Sequence, residues 1–143
     1  MVGSIISFIQ RVSSRYLDAH EIAEKDFNVV TRPHQENDTQ RWIMTKEQGN
    51  LRRFQQVSSG RFLDAHEIAS LDYRVVTRPR QENSTQLWSL SVIDGHGSLR
   101  IRQVSSGRFL DAYSSGTNDF QAVTRPEKLD SNSSQVWYFP GEE

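Results

Sequence analysis

Three tandem copies of one motif constrain this chain more than any other feature. Val12-Ser13-Ser14-Arg15-Tyr16-Leu17-Asp18-Ala19 returns as Val57-Ser58-Ser59-Gly60-Arg61-Phe62-Leu63-Asp64-Ala65. It returns again as Val104-Ser105-Ser106-Gly107-Arg108-Phe109-Leu110-Asp111-Ala112. The aspartates stand 46 and 47 residues apart. Each copy continues to a Val-Thr-Arg-Pro, at 30–33, 76–79 and 123–126. Each closes on Gln-x-Trp: Gln40-Arg41-Trp42, Gln86-Leu87-Trp88 and Gln135-Val136-Trp137. The third copy diverges in its middle and runs two residues longer from Asp to Gln; the first reads without the glycine that follows Ser-Ser elsewhere. Self-similarity at a fixed period means that each copy is one supersecondary unit, stacked on its neighbours to bury a shared core.

Each unit reads as short strands. Leu99-Arg100-Ile101-Arg102-Gln103-Val104 has β-type content, and Ser105-Ser106-Gly107 supplies a turn with a residue free to take positive φ. Arg-Phe-Leu-Asp-Ala follows as a second strand. The stretch 72–78 alternates, placing Tyr73, Val75 and Thr77 on one face and Arg74, Val76 and Arg78 on the other. Phe27, Tyr73 and Phe120 therefore read as core. Pro79 ends this strand because proline cannot donate to a ladder. Gln-x-Trp and the residues after it form the fourth strand. His-Glu-Ile-Ala can form at most one helical turn. Gly49, Gly95 and Gly97 mark the joins, giving repeats of about 1–49, 50–97 and 98–143 within a single domain, 1–143. A propeller needs roughly four to eight such blades, and a solenoid needs atypical end caps. What remains is an all-β fold with pseudo-threefold symmetry, a barrel capped by hairpins: the β-trefoil.

Composition narrows the function classes. Lys plus Arg number 17 and Asp plus Glu 18, a net charge of −1, which argues against a polybasic surface for nucleic acid. Apolar residues at 35% and aromatics at 10% supply a modest core. With no cysteine, disulfides, thiolate metal sites, Fe–S clusters and Cys nucleophiles are excluded, and a reducing compartment is favoured. No stretch approaches the roughly 18 apolar residues of a membrane span. The opening Met1-Val2-Gly3-Ser4-Ile5-Ile6-Ser7-Phe8-Ile9-Gln10 has neither the basic region nor the apolar run of a secretion signal. The expectation is a cytoplasmic protein, released if at all by a non-classical route.

Gly-Arg-Phe-Leu-Asp near the start of each unit and Gln-x-Trp near its end resemble the ricin B-type lectins, known for a triplicated Gln-x-Trp. The layout is similar to that of small, single-domain lectins of microbes and mushrooms, and the likeness spans the chain. The resemblance implies up to three equivalent sugar sites, with Asp18, Asp64 and Asp111 as the main hydroxyl acceptors. It implies that Gln40, Gln86 and Gln135 brace those acids and that Trp42, Trp88 and Trp137 pack in the core. Where plant-type members carry an aromatic after the third strand, this chain has Arg32, Arg78 and Arg125.

The residue chemistry points the same way. A carboxylate accepts from two sugar hydroxyls through charge-assisted bonds, an amide adds a donor and an acceptor, and a planar group can lie against the ring. The arginines can bond hydroxyls or stack, or instead pair with Asp26, Asp72 or Asp119. His20, His66 and Tyr113 are planar groups at one equivalent position, two residues past the Asp. Asn37, Asn83 and Asn132 suit a hydroxyl contact or a turn. They also head N-glycosylation sequons, whose glycans would crowd the pocket in a secreted protein.

No catalytic centre is expected. His20-Glu21 and His66-Glu67 lack the second His at i+4 that a zinc-protease helix needs, since Glu24 and Ser70 stand there. Asp18 and Asp26 can be nominated as a glycosidase pair, but the pair recurs in every unit, whereas a catalytic centre is normally unique. The expected protein is an agglutinin without cofactor or metal. Its partners are glycans of glycoproteins or glycolipids, of galactose or N-acetylgalactosamine type. It binds no nucleic acid and does not insert in membranes, and a homodimer would double its valency. The other reading is a protein-binding trefoil of the protease-inhibitor or actin-bundling type.

Overall fold

The computed structural model describes residues 3–130 and 133–140. Repeat 1 holds β1 (Ser4–Ile6), β2 (Ile9–Gln10), β3 (Tyr16–Ala19), β4 (Val29–Arg32) and β5 (Trp42–Lys46). Repeat 2 holds β6 (Leu51–Gln56), β7 (Phe62–Ala65), β8 (Val75–Arg78) and β9 (Trp88–Val92). Repeat 3 holds β10 (Leu99–Gln103), β11 (Phe109–Ala112), β12 (Ala122–Arg125) and β13 (Trp137–Tyr138). There are thirteen strands among the described residues rather than twelve, because the first strand of repeat 1 is interrupted at 7–8.

Antiparallel pairing runs β1–β5–β6–β9–β10–β13–β2. Since β1 and β2 are two pieces of one strand, the ring closes into a six-stranded barrel, with no free edge left for another chain to extend. The hairpins β3–β4, β7–β8 and β11–β12 cap it with the same register, pairing Asp18 with Val30, Asp64 with Val76 and Asp111 with Val123. The hairpins meet one another through bridges Asn28–Val76, Val30–Gln121 and Arg74–Val123. This is the β-trefoil expected from the repeats.

The three tryptophans fill the barrel and are wholly buried. Each indole Nε1 donates to a leucine carbonyl two strands away in its own repeat: Leu17, Leu63 and Leu110, at 3.2, 3.1 and 3.0 Å. Phe8, Phe54 and Ile101, with the three leucines, complete the layer, Phe8 meeting Trp42 and Phe54 edge-on at 5.7 and 4.8 Å.

Two local expectations are corrected. Tyr73 does not continue the alternation of strand β8. Asp72 and Tyr73 take φ of 55° and 51°, and the strand starts at Val75. Val75, Val76 and Thr77 are then all buried, because hairpin neighbours cover both faces. Asp26-Phe27 and Asp119-Phe120 form the same left-handed pairs, so Phe27, Tyr73 and Phe120 lie half-buried between hairpins and not in the core. The first repeat, moreover, lacks nothing at its turn. Ser14 N donates to Gln10 O at 2.8 Å as Gly60 N does to Gln56 O, and Ser14 takes φ 62° where Gly60 takes 75°. Serine occupies the glycine position.

Candidate functional site

Asp18, Asp64 and Asp111 stand one residue before the ends of their strands, with carboxylates held in one geometry. In each, Oδ1 accepts from the next residue's amide (Ala19, Ala65, Ala112) at 2.8 Å. Oδ2 accepts from Gln40, Gln86 and Gln135 Nε2 at 3.0, 3.1 and 3.2 Å. The same glutamine amide donates to Pro33, Pro79 and Pro126 O, and its Oε1 accepts from the backbone of Gln35, Gln81 and Lys128. The glutamines are buried and their polar atoms committed, which makes them braces for the acid. Each carboxylate oxygen offers about two acceptor positions and spends one inside the protein. In repeats 1 and 2 one position per oxygen therefore remains for a ligand hydroxyl.

Asp64 is only 6% exposed, yet it forms the floor of an open pocket of about 260 Å³. Ala65 and Val76 make the apolar part of that floor; His66, Glu67, Arg78 and Asn83 form its walls. Asn83 accepts from Thr85 N and Oγ1 at 3.2 and 2.6 Å and donates one amide hydrogen to Gln81 Oε1, leaving a second to donate. Asn37 makes the same bonds in repeat 1. Asn132 lies outside the described residues.

His20, His66 and Tyr113 are brought beside Arg32, Arg78 and Arg125, but the acid that joins them comes from the preceding repeat around the axis. His66 Nε2 and Arg78 Nη2 lie 2.7 and 2.8 Å from the two oxygens of Asp26. Asp119 holds His20 and Arg32, each at 2.7 Å. Asp72 accepts from the Tyr113 hydroxyl and, at 2.8 Å, from Arg125. Burial raises Asp26 and Asp119, but the hydrogen bonds from histidine and arginine, with the arginine charge, outweigh it and hold both carboxyls below their ordinary range. Tyr113 moves the other way, raised first by its bond to Asp72 and then by burial. The arginines are thus walls pinned in place by neighbouring hairpins.

The left-handed Asp-aromatic pairs build this clamp. A left-handed residue with a Cβ costs roughly 1–2 kcal/mol. The strain is offset by contacts that only this turn supplies. Phe27 O accepts from Thr77 N at 3.1 Å, and its ring lies 3.6 Å from the Arg61 guanidinium. Phe120 with Arg15 and Tyr73 with Arg108 repeat the stack at 3.6 and 3.7 Å. Sequence reasoning names Asp26, Asp72 and Asp119 as partners open to the arginines, and the pairs form, but it does not say which acid meets which arginine. It missed their reach across the axis, although an acid before an aromatic in all three units was a visible signal.

Buried arginines anchor two of the lips, also unforeseen. Arg53 donates to Gln81 O at 3.1 Å and Arg100 to Asp130 O at 3.2 Å. Ser7 occupies that place before Phe8 in repeat 1. Repeat 3 has its own pocket of about 220 Å³ over Asp111, with Tyr113, Ser114, Arg125 and Lys128 in its walls. No group of three or more His, Asp or Glu side chains gathers as a metal site among the described residues.

No curated protein matches the sequence. Among solved structures, a designed threefold-symmetric protein, ThreeFoil, is similar with a TM-score of 0.81 at 22% identity, covering 96% of this chain and 99% of that one. A Polyporus squamosus lectin bound to the human-type influenza-binding epitope Neu5Acα2-6Galβ1-4GlcNAc gives 0.80 at 17% identity, over 97% of this chain and 49% of that one. SeviL bound to asialo-GM1 saccharide gives 0.71 at 16% identity, with 97% of each chain covered. At these identities the likeness establishes the fold. The family rests on a different comparison: the model of the ricin-type β-trefoil lectin domain-like family matches residues 40–125, from the Gln of the first Gln-x-Trp to the Arg125 of the third pocket. More than half of the sequence is matched, and this chain belongs to that family.

Proposed function

We propose that this protein is a lectin whose repeats each present a carboxylate-floored pocket to a terminal sugar, with galactose and N-acetylgalactosamine as the favoured ligands. The observation that carries the reading is the floor of the second pocket. Asp64 is fixed through one position on each oxygen, so its two remaining positions accept from adjacent hydroxyls without reorganisation. Galactose suits this floor because its axial 4-hydroxyl sits beside the equatorial 3-hydroxyl and leaves the opposite ring face apolar, toward a planar wall such as His66. The Polyporus squamosus lectin's glycan contains galactose.

Binding rather than catalysis fits the geometry. The second carboxylate nominated for a glycosidase, Asp26, faces repeat 2 and is engaged by His66 and Arg78. Asp18 and Asp26 therefore do not share a scissile bond. A shallow monosaccharide site of about 1 mM contributes about −4 kcal/mol. Three of them on one rigid barrel support avidity gains of roughly 10²–10⁴ and cross-linking of glycoproteins or glycolipids.

The test is a glycan array and a red-cell agglutination assay on wild type and on the triple Asp18→Asn, Asp64→Asn, Asp111→Asn variant, with thermal melting as the fold control. Asparagine keeps the side chain's shape and its acceptor for the following amide. Wild type should bind and agglutinate, and the folded triple variant should not. Equal binding by the two would remove the assigned sites.

A further inference from the structure

We infer that the repeat 3 pocket takes a sugar bearing an anionic group, and that Lys128 determines this specificity; the inference rests on the lectin reading above. The two-residue insertion in repeat 3 hides which of its residues corresponds to which in the other lips, but the hydrogen bonds reveal it. The backbone amides of Gln35, Gln81 and Lys128 all donate to Oε1 of their repeat's Gln-x-Trp glutamine, at 2.9, 3.0 and 2.8 Å. Lys128 therefore stands in the slot that glutamine fills in repeats 1 and 2.

The side chains in that slot behave differently. Gln35 and Gln81 accept from Asn37 and Asn83 along the rim, at 2.9 and 3.0 Å, and leave the aspartate free on its pocket side. Lys128 turns inward, placing Nζ 3.4 Å from Asp111 Oδ2, while about half of its side chain stays exposed. The ammonium occupies the side of Oδ2 from which a neutral sugar's hydroxyl would donate. It carries three donors, and Lys128 lines the pocket.

A second exchange works in the same direction. Three residues past the aspartate, Glu67 lines the repeat 2 pocket and accepts from Ser105 of the next turn. Ser114 holds this position in repeat 3 and lines its pocket without a charge. The remaining ionisable walls are matched: Arg78 is paired with Asp26, and Arg125 with Asp72 and Tyr113. Glu127, beside Lys128 in sequence, does not line the pocket. Among the lining residues, with His66 counted as neutral, Lys128 in place of Gln81 and Ser114 in place of Glu67 make repeat 3 two charges more positive than repeat 2. A hydroxyl-only sugar gains least from such a site, and a carboxylate or sulfate on the sugar gains most.

Titration calorimetry with methyl β-galactoside, methyl β-glucuronide and galactose 6-sulfate tests this on wild type, Lys128→Gln and Gln81→Lys. Wild type should bind at least one of the acidic sugars, more weakly as salt rises. Lys128→Gln should reduce that affinity about ten- to a hundredfold, the scale of one charge-assisted hydrogen bond, while the methyl β-galactoside binding of repeats 1 and 2, which Lys128 does not line, stays as in wild type. Gln81→Lys should add an acidic-sugar site in repeat 2. A response to glucuronide alone identifies a carboxylate ligand, and one to the sulfate alone a sulfated ligand. Unchanged acidic-sugar affinity in Lys128→Gln overturns the inference, as does a wild type that binds only methyl β-galactoside. If wild type binds none of the three, the lectin reading fails and takes this inference with it.

Discussion

The aspartate–glutamine floors agree across the three repeats to a few tenths of an ångström, whereas the residues that rim them do not agree even in charge. At the floor, glutamine reaches the aspartate at 3.0, 3.1 and 3.2 Å and the proline carbonyl at 2.9, 2.9 and 2.8 Å. At the rim the same backbone positions carry Gln35, Gln81 and Lys128, then Glu21, Glu67 and Ser114, then His20, His66 and Tyr113. The difference follows from burial. A floor residue satisfies polar groups that have no access to water, so any exchange leaves an unpaired group costing about 1–3 kcal/mol. A rim residue exchanges a protein contact for a solvent contact at little cost, and so is free to be set by a ligand.

The comparison is broken most severely beneath the floor. Trp88→Ala removes a fully buried ring and its bond to Leu63 O, and should cost about 3–5 kcal/mol in urea unfolding. The same change at Trp42 or Trp137 should cost a similar amount, since their surroundings match. A cost near zero at any one of them would mean that the threefold core is not shared.

One layer up, Gln86→Ala orphans the Gln81 amide, the Pro79 carbonyl and one side of Asp64 together. Expected is a loss of roughly 1–3 kcal/mol and of sugar binding in repeat 2. Glu67→Ser, at the rim of the same pocket, should leave stability within about 0.5 kcal/mol of wild type. Equal losses from the two would erase the distinction between floor and rim.

The inter-repeat clamp should be read out by pH. Asp26 and Asp119 sit below their ordinary range in the folded state, so the unfolded chain binds their protons first as pH falls. Their contribution is complete above the unfolded value near 4 and is lost as pH drops through the lower folded values. Both acids are more than a third exposed, which limits the size of the effect. The Asp26→Asn, Asp119→Asn variant should melt lower than wild type at neutral pH, with the gap narrowing toward pH 3. A gap that widened on acidification would place the clamp's energy elsewhere.

What the sequence disclosed follows the same division. The trefoil and the buried tryptophans were legible because each is tied to a spacing that recurs three times; the bracing of the aspartates was implied by the family resemblance that the same motifs carry. The clamp was not, because Asp26 meets Arg78 only once the barrel has closed and set hairpin tips side by side, a proximity that no spacing along the chain encodes. Nor does an aromatic residue such as Phe27 announce a left-handed backbone, whose cost the stack on Arg61 offsets from outside. The equivalence of Lys128 and Gln81 was hidden by an insertion, and emerged from a backbone hydrogen bond that both make.

Matching letters also misplaced the turn of repeat 1, and that error leads to the smallest effect. Aligning Val-Ser-Ser deletes a glycine from repeat 1, yet the hydrogen bonds put Ser14 where Gly60 and Gly107 stand, at φ 62° against 75° and 74°. Serine there carries the left-handed penalty of roughly 1–2 kcal/mol, and glycine would relieve it while losing about 0.5–1 kcal/mol to the freer unfolded chain. Ser14→Gly should therefore raise stability by roughly 0.5 kcal/mol, a difference of those two magnitudes. Gly60→Ser should lower it by a similar amount, both measured by urea unfolding with unchanged sugar affinity. Ser14 is exposed, and its side chain holds no hydrogen bond that the exchange would break among those described. If Ser14→Gly instead destabilised the protein, the first turn would not be the same turn as the other two, and the threefold match of the floors would have to be maintained without it.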